Sequence, residues 1–79
     1  MDEEIMKTYM ILWINSEGAK PSDISDRLLS MGFQPVEGEY DYCYNWDSRA
    51  DINDIIKFGD QVQNTLRGAG VLFKLETIS

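Results

Sequence analysis

The chain has 79 residues, with 14 acidic and 7 basic side chains, no histidine, one cysteine and a formal net charge of −7. So acidic a balance argues against nucleic acid, whose phosphates are held by Lys and Arg, and against an anionic membrane surface. Without histidine there is no Ser–His, Cys–His or His–metal chemistry, and a lone Cys43 can close no internal disulfide and anchor no zinc site.

At 43% hydrophobic the sequence still holds a globular core. A single domain is expected over 7–79, behind a frayed acidic end, 1–6. That acidic start lacks the basic leader of a signal peptide, and no apolar run is long enough to span a membrane. The expected location is therefore cytoplasmic, which also suits a free thiol.

Lys7–Asn15 is almost wholly apolar after Lys7, which predicts a central strand buried on both faces. A loop over 16–20 leads to Pro21-Ser22-Asp23, which opens a helix with either Ser22 as N-cap or Pro21 as its first residue. Ile24, Leu28 and Met31 give its apolar stripe, and Gly32 supplies the stop, with Phe33 locking against the helix end.

Val36–Trp46 alternates. Tyr40, Tyr42, Tyr44 and Trp46 fall on one side, with Glu37, Glu39, Asp41, Cys43 and Asn45 on the other. Gly38 either makes a hairpin turn or a bulge in one continuous strand. Asp51 with Asp54 resembles a capping box before a second helix, whose face is Ile52, Ile55, Ile56, Gly59, Val62 and Leu66. Gly59 lies on that face and suggests close approach to the sheet. Gly68-Ala69-Gly70 stops the helix, and Val71–Ile78 forms a last strand with Val71, Phe73 and Leu75 on one side. The glycines follow a helix rather than precede one, so they do not make a dinucleotide loop. Arg67 beside them suits the helix C-terminus better than an anion.

The order is β-α-β(-β)-α-β. This predicts an α+β, ferredoxin-like two-layer sandwich of three or four strands with two helices on one sheet face. The other face would stay open, and a second copy of the chain is one way to cover it.

Function is expected to be binding rather than catalysis. The acidic residues Glu39, Asp41, Asp47, Asp51 and Asp54 are the candidate ligands of a weak, irregular divalent-cation site within 37–54, with calcium favoured because it takes many oxygens in flexible geometry. Asn45, Asp47, Asp51 and Asn53 echo the alternation of a calcium loop. Arg49, Ala50 and Ile56 stand where that loop needs a ligand, a glycine and a bidentate Glu, so it is no EF-hand. The bland counterpart is a solvated acidic face with a cap at Asp51. Paired carboxylates could serve acid–base catalysis, but nothing else marks a substrate pocket.

The aromatic row Tyr40, Tyr42, Tyr44 and Trp46 reads as core beneath the helices or as an interface at the open face of a homodimeric protein-interaction module. Base stacking fits poorly with the interleaved Glu39 and Asp41. A basic protein would suit the overall charge. Cys43 lies among carboxylates that oppose its thiolate, so an inert thiol is expected.

Three stretches carry a resemblance: Gly18-Ala19-Lys20-Pro21; Met31-Gly32-Phe33-Gln34-Pro35-Val36-Glu37-Gly38-Glu39-Tyr40-Asp41-Tyr42; and Leu66-Arg67-Gly68-Ala69-Gly70-Val71-Leu72-Phe73. Together they resemble a group of small uncharacterised archaeal proteins of similar length. The resemblance implies a self-contained cytoplasmic domain and brings no activity or catalytic residue with it.

Overall fold

The computed structural model describes residues 6–78. The elements are β1 (Lys7–Ile14), α1 (Pro21–Met31), β2 (Gln34–Pro35), β3 (Tyr42–Asn45), α2 (Ile52–Thr65) and β4 (Val71–Ile78). The expected frayed end falls outside the described residues except for Met6, which is buried and whose carbonyl accepts from the Trp46 N–H at 3.1 Å.

The fold is α+β, with two helices and a four-stranded sheet in the order β2-β3-β1-β4. Every neighbouring pair is antiparallel. Thr8 faces Tyr44 and Met10 faces Tyr42 across β1–β3, while all eight residues of β1 pair with β4, from Lys7 opposite Ile78 to Ile14 opposite Val71. The central position of β1 is as its apolar run predicts.

Burial on both faces is not. Met10 joins Ile24, Leu28, Phe33, Phe58, Val62, Leu66 and Ala69 in one core. Buried side chains of both helices meet the same face of β1, so among the described residues the other face receives no helix. Its β1 members are half-buried Tyr9 and Ile11 and exposed Trp13. β4 behaves as its pattern predicts, with Val71, Phe73 and Leu75 against the core and Leu72, Lys74, Glu76 and Ile78 exposed.

Local chemistry sets the helix ends. Pro21 is the first residue of α1 behind an N-cap at Lys20, so the proline reading of this start holds and Ser22 lies inside the helix. At the far end Gly32 takes φ 108°, and the Gly32 and Phe33 N–H groups donate to the Leu29 and Leu28 carbonyls. This left-handed stop seats Phe33, 1% exposed, against the helix. The α2 start is the capping box read from sequence. The Asp54 N–H donates to Asp51 Oδ1 at 2.9 Å and the Asp51 N–H donates to Asp54 Oδ2 at 3.1 Å.

Gly38 belongs to a hairpin rather than a bulge. Gln34 and Pro35 pair with Cys43 and Tyr42, and the Val36 N–H donates to the Asp41 carbonyl at 3.1 Å, closing a loop in which Gly38 has φ 108°. Gly59 makes no close approach: a β-carbon there would meet nothing within 4 Å. The close approach lies at Gly18, packed on the Ala69 carbonyl that accepts the Ala19 N–H at 2.9 Å.

Candidate functional site

The aromatic row divides. Tyr42, Tyr44 and Trp46 pack against the core from the helix side of the sheet. Tyr44 lies 4.3 Å from Phe58 and 5.2 Å from Trp46 between ring centroids, and Phe33 closes the group at 5.8 Å from Tyr44. The Trp46 indole donates from Nε1 to Thr8 Oγ1 at 2.8 Å, and that hydroxyl also bonds Thr77 Oγ1 at 2.7 Å. A buried Thr8 thus has its polar atom satisfied.

Tyr40 goes the other way. The alternation breaks at Asp41, whose N–H donates to the Met10 carbonyl at 2.8 Å and whose Oδ2 accepts from the Leu12 N–H at 2.8 Å. With Asp41 turned onto β1, Tyr40 stacks on Tyr9 of the open face at 4.6 Å and 27°. Its hydroxyl donates to Glu76 Oε1 at 2.8 Å. That hydrogen bond raises the phenol above its ordinary value; slight desolvation and the charges of Glu76 and Glu39 act in the same direction.

The acidic candidates do not converge. Asp41 is tied to β1 at Met10 and Leu12, with exposed Glu39 just before it. Asp51 and Asp54 are engaged with each other's backbone beyond the opposite end of β3, next to Ala50, whose N–H meets Met6 Sδ at 3.3 Å. Exposed Asp47 follows β3 at that same end. The four residues of β3 separate the two groups by roughly 13 Å at the rise of an extended strand. Among the described residues no three His, Cys, Asp or Glu stand close enough to hold a metal ion.

Cys43, 5% exposed, lies opposite Tyr9 in the sheet register. Burial pushes its thiol up, with the Lys7 ammonium pulling the other way. Arg67 donates from Nη2 to Asn64 Oδ1 at 3.0 Å, close to its expected place at the helix end. No described helix is long and apolar enough to cross a membrane.

What remains is the open sheet face. One end carries Tyr9, Tyr40, Lys74 and Glu76; the other carries Trp13, 53% exposed, and its register partner Leu72, 73% exposed. A groove of about 480 Å³ opens there among Trp13, Ile14, Asn15, Gly70, Val71 and Leu72. A second hollow of about 420 Å³ lies beside the aromatic cluster, where Tyr44, Trp46 and Phe58 meet Arg49, Asp54 and Lys57. It mixes both signs of charge and converges on no reactive pair.

Trp13 was hidden by the continuous apolar run of β1, which reads as buried on either side. The signal that finds it is Lys74 and Glu76: they mark one face of β4 as wet, and pairing with β1 carries that face to Ile11 and Trp13. Comparison with protein-family models, with curated proteins and with solved structures finds no match.

Proposed function

We propose that the chain is a non-enzymatic protein-interaction module whose binding surface is the open face of its sheet. The observation that carries this is Trp13 and Leu72 standing 53% and 73% exposed as cross-strand partners beside an apolar groove. A tryptophan held on a strand is the kind of anchor that protein interfaces favour, Leu72 extends the apolar patch beside it, and Lys74, Glu76 and the Tyr9–Tyr40 pair supply a polar rim.

The strand order, read from the other edge as β4-β1-β3-β2 with all neighbours antiparallel, supports the ferredoxin-like arrangement for this module. In such an arrangement a face without helices is available to a partner. Among the described residues the cation reading has no gathered set of ligands in its support.

The test is quantitative capture from cell extract with three baits: the natural chain, Trp13→Lys, and Ile56→Lys as a control on the helix layer, where Ile56 is 56% exposed. Proteins held by the natural chain and by the control, and lost from Trp13→Lys, are the expected outcome. Capture that ignores Trp13, or that falls equally with both variants, sinks the proposal.

A further inference from the structure

The two edges of the sheet are unlike. β2 is two residues long and contains Pro35, which has no N–H to offer, so that edge is blunted. β4 is eight residues long, without proline or glycine, and among the described residues pairs only with β1. Its outer row of N–H and C=O groups is an open template for another strand.

The side chains say which strand fits. On the open face β4 reads Leu72, Lys74, Glu76, Ile78: apolar, cation, anion, apolar. Set antiparallel against itself with Leu75 opposite its own copy, Lys74 meets Glu76 of the second copy and Leu72 meets Ile78, each twice by symmetry. On the helix side the two Leu75 residues meet, and half-buried Phe73 meets Thr77.

Neighbouring registers lose this. A slip of two residues sets either Lys74 on Lys74 or Glu76 on Glu76, and like charges directly opposite destabilise a pair. The odd registers between them throw the two helix layers to opposite sides.

We infer that β4 pairs antiparallel with β4 of a second copy about a two-fold axis at Leu75, forming a continuous eight-stranded sheet. The inference concerns the backbone edge and is independent of which protein docks on the open face. It also places the two open faces side by side as one surface.

The test is mass in solution across a concentration series, with circular dichroism to show that each variant is folded. The natural chain should rise from 9.1 kDa toward twice that value. Lys74→Glu alone and Glu76→Lys alone should each weaken the dimer, raising the concentration at which the mass doubles. An equimolar mixture of the two should recover the dimer, since every charged pair is then complementary. The double variant K74E/E76K should also dimerise.

Trp13→Lys separates this proposal from the open-face reading, because it leaves β4 intact and should leave the dimer intact. Four results each overturn the edge pairing: a natural chain that stays at one copy up to its solubility limit, a dimer that ignores both charge reversals, single variants that do not recover on mixing, or a dimer lost in folded Trp13→Lys.

Discussion

Gly18 has no freedom to gain a side chain. A β-carbon there runs into the backbone carbonyl oxygen of Ala69, which is already held by the Ala19 N–H. Neither partner is a flexible side-chain end, so the 16–20 loop must part from the turn after α2. Gly18→Ala should cost about 1–3 kcal/mol in urea unfolding. Gly59→Ala, in the middle of α2 with open space around the new methyl, should gain about 0.5–1 kcal/mol from helix propensity. A neutral Gly18→Ala or a destabilised Gly59→Ala would show that the loop contact or the free helix face is misplaced. The sequence points the other way, because Gly59 lies on an apolar helical stripe and Gly18 lies in a polar loop. Helical spacing locates a glycine on its own helix and carries no information about a contact such as Gly18 on Ala69, made about 50 residues apart in the chain.

Element boundaries were legible where they rest on neighbours in the chain. The α2 cap and the Gly32 stop of α1 depend on residues at most five apart, and both stand as read. Asp51→Ala should therefore cost about 1 kcal/mol with no metal present. Asp47→Ala, in an exposed position outside the box, should stay within about 0.5 kcal/mol. Equal losses for the two in thermal or urea unfolding would remove the reciprocal bonds as the reason for the helix start. The aromatic strand was legible only in part. Alternation puts Tyr42, Tyr44 and Trp46 on one face and the sheet keeps them there, but Tyr40 lies beyond Asp41, whose bonds go to β1 residues about 30 positions away. The same long-range effect separates the acidic residues. They are close in sequence, yet an extended strand sets them at its two ends, which is why their proximity in sequence does not become a cluster in space.

Charge acts on the whole molecule, and it bears on whether two chains can share an edge. Each carries −7, so association brings two like-charged bodies together while gaining two Lys74–Glu76 contacts. Exposed pairs of this kind are worth about 0–1 kcal/mol each, so they select the register more than they hold the dimer. Backbone pairing and the Leu72–Ile78 and Leu75–Leu75 contacts must supply the attraction. The repulsion is spread over the full surface and reaches about 30 Å at 0.01 M salt but only about 8 Å at 0.15 M. The pairs, at about 4 Å when formed, lie inside either distance and lose less. Raising salt between those limits should therefore tighten the dimer, seen as a lower midpoint concentration in sedimentation equilibrium. A dimer that weakens with salt would mean that the Lys74–Glu76 contacts outweigh the net repulsion. The backbone edge and its apolar pairs would then be the lesser part of what joins two copies.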